Sequence, residues 1–267
     1  MAAIAAGIPP TACMQTLNRQ CASGLQAVAT IVNSIEKKEI TIGIGAGVES
    51  MSFFPMHKMS LFENSVDWDA MNKNMEAMDC LLPMGVTSDT VARKYNLERH
   101  ELDAFAASSH QKAAKAQASG KFQAEIVPVR GVSQDDGIRA NTNLAVLSKL
   151  KAVFTPTGLT TAGNSSQTTD GAAAILLMTR SEAMRRGLRI LAVWRGFAIK
   201  GVPPSIMGVG PAYAIPAVLE QVGISVADLG VVELNEAFAT QALWCIRELG
   251  LDPAVVNPSG GAIALGK

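Results

Sequence analysis

The feature that most constrains the fold is an alternation of apolar helices and strands that one long segment interrupts. Residues 21–35 predict a buried helix, because apolar side chains recur there at close to the 3.6-residue helical period. A glycine-rich strand is predicted at 41–46, and its glycines indicate close packing against a helix or a ligand. The alternation resumes near Thr161 and continues to Leu249. This pattern favours an α/β fold.

The resumed alternation predicts strands and helices in turn. Their bounds are 171–178, 190–199 and 231–234 for the strands and 181–187, 211–222 and 236–249 for the helices. The run 171–178 is continuously apolar, which is typical of a strand buried on both faces. Proline in the first turn of the helix at 211–222, and glycines after the other two helices, support these bounds.

The interrupting segment has a different composition. Residues 51–85 combine Phe53, Phe54 and Trp68 with seven methionines. The methionines are Met51, Met56, Met59, Met71, Met75, Met78 and Met84. Because regular periodicity is poor and linkers carry much less apolar mass, we expect an irregular, packed insertion.

More regular elements are predicted further along the insertion. Residues 87–95 and 99–119 read as helices, and 125–129 reads as an edge strand because proline is confined to edges. The expected buried face of the second helix consists of Leu102, Phe105, Ala106, Ser109, Ala113 and Ala116.

Length and charge exclude several classes of protein. A chain of 267 residues makes one large domain or two small ones, and its apolar fraction of 48% argues against disorder. Lys and Arg number 23, as do Asp and Glu, so no bulk attraction to nucleic acid or anionic membranes is expected. No apolar run approaches the roughly 18 residues of a membrane span. Four scattered cysteines fit neither a disulfide framework nor a zinc motif, so we expect no metal site.

Cys21 is the strongest candidate for a nucleophile. It lies at the start of the helix predicted at 21–35 and is followed by Ala, Ser and Gly. A helix N-terminus carries about half a positive charge, which stabilises a thiolate, and small neighbours leave room for a substrate. An isolated cysteine is more often a small buried hydrophobe. That interpretation is kept for Cys13, Cys80 and Cys245, which lack such a context.

Asn235 and Glu236 lie where a predicted strand ends and a helix begins. Ligands bind at this place in α/β sheets, and an amide there can hold a water or an oxyanion. The simpler alternative for Asn235 is a helix N-cap, which the spacing by itself favours. The small, polar segment 163–171 is either a close approach for a ligand or an ordinary turn.

Other motifs carry weaker signals. The Gly-x-Gly-x-Gly run at 43–47 is not followed by Gly-Lys-Ser/Thr and does not predict a phosphate loop. A serine hydrolase is disfavoured because no Gly-x-Ser-x-Gly elbow is found. The three histidines, His57, His100 and His110, are predicted to be solvated surface residues.

Taken together, these segments resemble the thiolase family, and within it the peroxisomal type. The resemblance covers essentially all 267 residues. It is carried by the runs at 17–28, 47–52, 83–88, 122–128, 161–164, 170–174, 202–204, 207–211, 235–238 and 257–262. The cysteine run and the Asn-Glu-Ala-Phe run at 235–238, in this order, are its most specific parts.

The resemblance implies an α/β, thiolase-like fold of two related βαβ halves with an inserted loop domain. The N-terminal half then comprises residues 1–52 and 161–180, and the C-terminal half comprises 181–267. The loop domain comprises 53–160 and covers the CoA site.

The resemblance also implies an acyltransferase that cleaves 3-ketoacyl-CoA with CoA in fatty-acid β-oxidation. Cys21 matches the nucleophile that carries the acyl group as a thioester, and Asn235 matches the residue that holds a water in an oxyanion hole. In the CoA site, Met84 lines the pantetheine tunnel, Arg139 lies near the adenine and phosphates, and Ser166 contacts the pantetheine. Because CoA is a substrate, no resident cofactor is expected.

Two departures from the family pattern bear on activity. The family's catalytic histidine belongs to a Gly-His-Pro motif directly after the glycine-rich run that corresponds to 260–266. Its second cysteine lies in a later Cys-x-Gly-x-Gly loop, and neither motif is in this sequence. We therefore expect a chain truncated at both ends, with both halves incomplete. The alternative to an active thiolase is an inactive chain that at most binds CoA or a full-length partner.

Partner and location are also implied by the resemblance alone. The family predicts a homodimer in the peroxisome. The sequence shows neither an N-terminal targeting segment nor a C-terminal Ser-Lys-Leu.

Overall fold

The computed structural model of the chain describes residues 1–55 and 66–267. Within these ranges, the strands β1 (Ile42–Ser50) and β2 (Asp170–Met178) pair as a two-stranded sheet. The α-helices in the same ranges are α1 (Ala2–Ala5), α2 (Ser23–Glu36), α3 (Trp68–Met71), α4 (Met75–Asp79), α5 (Met84–Lys94), α6 (Arg99–Ala118), α7 (Leu144–Leu147), α8 (Arg180–Arg185), α9 (Gly210–Val222), α10 (Ala239–Glu248) and α11 (Ala262–Leu265). Short 3-10 helices cover Pro204–Val209 and Val226–Asp228. No helix in the described part of the chain has the length and apolarity to cross a membrane.

The chain divides into two compact units. Unit 1 comprises residues 1–49 and 171–194, and it holds α1, α2, α8 and nearly all of both strands. Unit 2 comprises residues 50–170 and 195–267, and it holds the remaining helices. The division into two halves and a loop domain, which the resemblance implies, stays a prediction.

In unit 1, helix α2 packs against β1, and glycines in the strand permit the close approach. A Cβ on Gly45 would lie 2.9 Å from the Cα of Val28, and a Cβ on Gly43 would lie 2.7 Å from the Cγ2 of Ile31. The neighbour predicted from the strand glycines is therefore a helix. Leu25 on α2 is 57% exposed, so the helix is buried along one face and not all round.

Strand β2 confirms the strand predicted at 171–178, but the predicted full burial is wrong. Ile175 and Leu176 are 52% and 54% exposed. An unbroken apolar run is typical of a strand covered on both faces. In the described chain β2 pairs with β1 alone, and α2 packs on the glycines of β1. Burial depends on the elements that cover a strand, which its own apolar run does not specify.

Two other strand predictions are wrong. Residues 190–199 are not assigned to a strand, and Leu191 is 84% exposed. Residues 125–129 end in a turn, where Val129 and Val132 form one isolated antiparallel bridge. A strand forms only where a partner strand offers N–H and C=O groups for the hydrogen-bond ladder. Alternation of apolar and polar residues in one segment does not show whether such a partner exists.

The methionine-rich segment is irregular, as predicted; among its described residues it holds the short helices α3 and α4 and the start of α5. Its predicted packing is wrong for several large side chains, since Phe53 and Met75 are 77% and 72% exposed. Met56 and Met59 lie outside the described residues.

The core of unit 2 forms where α5, α6, α10 and the 3-10 helix Pro204–Val209 pack together. Helix α6 confirms the helix predicted at 99–119, and its predicted face is buried, with Leu102, Ala106 and Ala113 fully inaccessible. The ring of Tyr95, just after α5, stacks on Trp244 of α10 with centroids 4.2 Å apart. This core provides the rigid support for the polar residues described next.

Candidate active site

Cys21 lies in unit 1, in the turn immediately before α2. The helix begins at Ser23 with Ala22 as its N-cap, two residues later than predicted. Cys21 is therefore at the positive end of the helix dipole, ahead of the first turn. Its side chain is exposed, so the alternative of a small buried hydrophobe is wrong for this residue.

Hydrogen bonds within a few residues shape this turn. Gln20 has a φ of 48°, the left-handed region that non-glycine residues rarely adopt. The Asn18 side-chain oxygen accepts the N–H of Gln20 at 2.7 Å. The Ser23 hydroxyl accepts the N–H of Arg19 at 2.8 Å and donates to the C=O of Gln20 at 2.7 Å. Strain of this kind persists where surrounding bonds over-determine the backbone, and it recurs at functional turns.

The other cysteines separate into two groups. Cys245 is buried in α10, where desolvation raises the pKa of its thiol to about 12, and the prediction of a buried hydrophobe is confirmed. Cys13 and Cys80 are exposed, so the same prediction is wrong for them. Exposure of the thiol therefore does not distinguish Cys21 from Cys13 and Cys80. Its position directly before α2 does.

Asn235 lies in unit 2 and is exposed, in the irregular segment before α10. The helix begins at Ala239, three residues later than the predicted start, and its N-cap is Phe238. The N-cap interpretation of Asn235 is therefore wrong. Its amide is not engaged at a helix end and remains accessible for a ligand or a water.

Buried hydrogen bonds hold the residues on both sides of Asn235. The Asn257 side chain accepts the N–H of Leu234 at 2.7 Å and donates to the C=O of Leu234 at 2.8 Å. The Glu236 carboxylate accepts from the Asn257 side chain at 2.7 Å and from the Ser109 hydroxyl at 2.6 Å. Sequence reasoning did not assign a role to Asn257, although its Asn-Pro-x-Gly-Gly run was among the motifs that carry the resemblance.

Just before this segment, the strand predicted at 231–234 is reduced to one parallel bridge between Val232 and Val256. The N–H of Val232 donates to the C=O of Val255, and the N–H of Asn257 donates to the C=O of Val232, both at 2.9 Å. The bridge brings Asn257 alongside Leu234.

Ser166 lies next to the segment after Asn235. Its N–H donates to the C=O of Ala237 at 2.9 Å, and Ser165 and Phe238 form an isolated antiparallel bridge. The buried Asn164 anchors this loop, because its side chain donates to the Asp103 carboxylate at 3.0 Å. The polar segment 163–171, predicted to be either a ligand approach or a turn, is thus bound by backbone hydrogen bonds to the Asn-Glu-Ala-Phe run at 235–238.

Met84 is the first residue of α5 and is half-buried. The next residue, Gly85, packs so closely on the Phe154 ring that a Cβ there would overlap it. Phe154 in turn makes an edge-to-face contact with Phe238, with centroids 6.2 Å apart. These aromatic contacts connect the start of α5 with the segment that carries Asn235.

Arg139 is exposed, and its backbone N–H donates to Nδ1 of His110 at 3.2 Å. The prediction that His110 lies on the surface is wrong, because it is 4% exposed on the inner side of α6. Burial, together with the nearby Arg139 charge, lowers the pKa of His110. His100 is exposed as predicted, and His57 lies outside the described residues.

The loop that carries Arg139 is tied to the other candidate residues through Gln167. The Gln167 amide donates to the C=O of Gly137 at 3.0 Å and to the C=O of Ala264 at 2.6 Å. Unit 2 therefore connects the segments of Met84, Arg139, Ser166 and Asn235 through direct contacts, while Cys21 belongs to unit 1. The role of each of these five residues stays a prediction.

Within residues 1–55 and 66–267, no cluster of His, Cys, Asp or Glu side chains has the arrangement of a metal site. The described residues do include an accessible thiol, Cys21, and an accessible amide, Asn235, which are groups used in nucleophilic and oxyanion catalysis.

Two family models match the chain over nearly its whole length. The model of the thiolase N-terminal domain matches residues 1–181, and that of the thiolase C-terminal domain matches residues 188–267. The chain belongs to the thiolase family, and the predicted α/β thiolase fold is confirmed.

Peroxisomal 3-ketoacyl-CoA thiolases are among the most similar individual relatives. The chain is 51% identical to peroxisomal 3-ketoacyl-CoA thiolase 2 of Arabidopsis thaliana, with 100% of this chain and 60% of the relative covered. It is 50% identical to human peroxisomal 3-ketoacyl-CoA thiolase, with 97% of this chain and 63% of the relative covered. The chain thus spans about three-fifths of the length of these relatives.

Solved structures show the same likeness. The dimeric peroxisomal thiolase of Saccharomyces cerevisiae matches with a TM-score of 0.93 and 47% identity, covering 99% of this chain and 68% of that one. Human mitochondrial 3-ketoacyl-CoA thiolase in complex with CoA matches with a TM-score of 0.87 and 34% identity, covering 98% and 69%.

Proposed function

We propose that the chain acts as a 3-ketoacyl-CoA thiolase, an acyltransferase that uses CoA to shorten a 3-ketoacyl-CoA by two carbons. The observation that carries this proposal is the exposed Cys21 thiol at the head of α2 in a chain of the thiolase family. The thiol is open to a substrate and lies at the positive end of the helix dipole, which stabilises negative charge that develops nearby.

The reaction proceeds by two acyl transfers. The Cys21 thiolate attacks the C3 keto carbon, the bond between C2 and C3 breaks, and the two-carbon unit leaves as the enolate of acetyl-CoA, which takes up a proton. The acyl group remains on Cys21 as a thioester. The thiol of free CoA then attacks this thioester, a proton leaves that thiol, and the shortened acyl-CoA departs as Cys21 regains its thiolate.

Asn235 is proposed to hold a water that stabilises the negative charge on the thioester oxygen. Preorganised donors of this kind are worth about 10²–10³-fold in rate. The accessible amide, with both neighbouring residues buried, supports this assignment. In the family, a histidine and a second cysteine carry out the proton transfers. Their motifs follow the run that corresponds to 260–266 and are not in this sequence.

The CoA contacts are proposed to come from Met84, Arg139 and Ser166. Met84 supplies apolar surface to the pantetheine, and Ser166 contacts it near Asn235. The exposed guanidinium of Arg139 suits the adenine and phosphates, because it keeps its charge at all relevant pH values. CoA is a substrate here, so the proposal includes no resident cofactor.

The proposed assembly is a homodimer, and the proposed location is the peroxisome. The dimeric yeast structure supports the first, and the peroxisomal names of the matched relatives support the second. Neither the contacts nor the comparisons favour the inactive alternative over an active thiolase.

The proposal is tested by acetyl transfer to the protein. The purified 267-residue chain is mixed with acetyl-CoA, and intact mass and peptide mapping locate any acetyl group, while acetoacetyl-CoA thiolysis is measured in parallel. We expect one acetyl group, on Cys21, and the parallel thiolysis measurement decides between an active thiolase and the inactive alternative. Acetylation without turnover would favour the inactive alternative, because loss of two acid–base steps costs roughly 10²–10⁴-fold each.

The matched control uses the other exposed cysteines. Cys21→Ser should lose the acetyl group, whereas Cys80→Ser, which removes another exposed thiol, should keep it. An acetyl group that survives Cys21→Ser, or that is distributed over all exposed thiols, contradicts the proposal.

A further inference from the structure

The Asn257 side chain takes the place of a strand neighbour for Leu234. Its carboxamide makes both main-chain hydrogen bonds of Leu234, accepting at 2.7 Å and donating at 2.8 Å. Asn257 is 2% exposed and has a φ of 44°, a conformation that asparagine tolerates better than most residues. The turn ends the bridge between Val232 and Val256, and the side chain continues the pairing in its place.

Glu236 is held equally firmly on the other side of Asn235. It is 1% exposed, and its carboxylate accepts from Asn257, from the Ser109 hydroxyl and from the N–H of Ile263 at 3.2 Å. All three donors are neutral. A buried carboxylate is costly unless it is fully hydrogen-bonded, so its presence here calls for a role beyond filling space.

The Asn257 side chain binds both Leu234 and Glu236, and Asn235 lies between these two residues in the sequence. In extended backbone, successive side chains alternate in direction, so buried residues at 234 and 236 leave 235 on the accessible side. Asn257 contacts both buried neighbours, through the main chain of Leu234 and the carboxylate of Glu236.

We propose that Asn257 and Glu236 are positioning residues that hold the Asn235 amide in the orientation needed to stabilise the thioester oxygen. This inference rests on the proposed function. Both side chains are buried, and both act through the backbone on either side of Asn235. Preorganisation of this kind matters because a donor that must reorient during the reaction loses much of its electrostatic effect.

The same carboxylate also fixes the glycine-rich turn before α11. Ser109, which donates to Glu236, accepts the N–H of Gly261 at 3.0 Å. A Cβ on Gly261 would overlap the Glu236 carboxylate, so the turn closes directly over it. The positioning network therefore extends from α6 through Glu236 to the start of α11.

A second buried carboxylate in unit 2 provides a matched control. Asp89 is 2% exposed and accepts from the Thr155 hydroxyl at 2.6 Å and from the N–H groups of Leu159 and Thr160 at 3.0 Å. Like Glu236 it has three neutral donors, but it is not adjacent to Asn235. Asp89→Asn thus reproduces the structural cost of Glu236→Gln without the proposed positioning effect.

The experiment measures Cys21 acetylation by acetyl-CoA, as a maximal rate and a half-saturating concentration, together with the urea midpoint of unfolding. Glu236→Gln replaces one carboxylate oxygen, which accepts hydrogen bonds, by an –NH2 group, which donates them. At least one of the three donors around Glu236 then loses its acceptor. We expect its maximal rate to fall about 10–100-fold with little change in half-saturation, since a displacement of about 1 Å can cost 10²-fold. Asp89→Asn should lower the urea midpoint to a similar extent and leave the rate within about twofold.

A double variant separates positioning from general damage. If Glu236 acts through Asn235, then Glu236→Gln should have almost no further effect on the rate in an Asn235→Ala background. Should Glu236→Gln fail to fold, Ser109→Ala removes one of the three donors and should show the same pattern more weakly. Equal rate losses in the Glu236 and Asp89 variants, or additive losses with Asn235→Ala, would overturn the inference.

Failure of the inference differs from failure of the proposed function. Without Cys21 acetylation in the unmodified protein, both are wrong. With normal acetylation in the unmodified protein and in Glu236→Gln, only the positioning inference is wrong.

Discussion

The two units hold their candidate catalytic residues by different means. In unit 1, the turn around Cys21 is shaped by hydrogen bonds among residues 18–23. In unit 2, the neighbours of Asn235 are held by Asn257 and by Ser109, which is 127 residues away in sequence from Glu236. Cys21 is therefore placed by local sequence, and Asn235 by tertiary contacts.

Unit 2 also buries its apolar side chains more completely than unit 1 does. The fully inaccessible core residues Leu102, Ala106 and Ala242 belong to unit 2. In unit 1, Ile44, Ile175 and Leu176 remain about half exposed although they lie in the sheet. A residue that depends on long-range contacts needs the rigid surroundings of a packed core, whereas a short self-bonded turn does not.

The largest predicted effect compares one apolar side chain from each unit. Leu102→Ala removes a fully buried side chain from α6 and should lower the free energy of unfolding by about 3 kcal/mol, within the range of about 2–5 for such truncations. Ile175→Ala in β2 should change it by less than about 0.5 kcal/mol, because the side chain is half exposed. Urea denaturation measures both, and similar losses would contradict the contrast between the units.

The next prediction tests a tight contact of unit 1, the one between Gly45 of β1 and Val28 of α2. Gly45→Ala places a Cβ 2.9 Å from the Val28 backbone and should destabilise the protein by about 1–3 kcal/mol, because α2 must shift away from β1. Gly47→Ala in the same strand is the control, since its Cβ would be 3.7 Å from the nearest atom, at Gly24. If both variants unfold at the same urea concentration, α2 does not pack on β1 as described.

The smallest predicted effect is a pH dependence that belongs to unit 2. Burial lowers the pKa of His110 in the folded protein, so folding favours the neutral imidazole. This contribution is fully present above the unfolded pKa of about 6.5, and it is lost as pH falls below that value towards the lower folded pKa. Protonation also removes the Nδ1 acceptor of the Arg139 N–H.

The measurement for His110 is the urea midpoint as a function of pH. His110→Gln should reduce the slope below pH 6.5, because it removes the buried imidazole. Equal slopes in the unmodified protein and in this variant would show that His110 is not the group that titrates.

Sequence patterns predicted the helices better than the strands. Helices α6 and α9 lie within one or two residues of their predicted bounds, because periodicity and end residues act within the segment itself. The segment 190–199 has strand-like alternation and no ladder, since a strand depends on a partner elsewhere in the chain.

The candidate site shows the same limit. The position of Cys21 before an apolar helix could be predicted because a helix start is a local feature. The N-cap interpretation of Asn235 was wrong because α10 begins only at Ala239. The buried His110 and the role of Asn257 could not be predicted, since each depends on a partner remote in sequence: Arg139 for the first, Leu234 and Glu236 for the second.

Motifs in the sequence by themselves determined the family, through their resemblance to it. Residue types and short-range spacing predicted the longer helices and the place of Cys21 at a helix head. Only the tertiary structure decided which apolar strand is covered, which histidine is buried and how the backbone around Asn235 is anchored. Burial and hydrogen bonding depend on two segments that come together in the fold. The residue pattern of one segment does not show which other segment will pack against it.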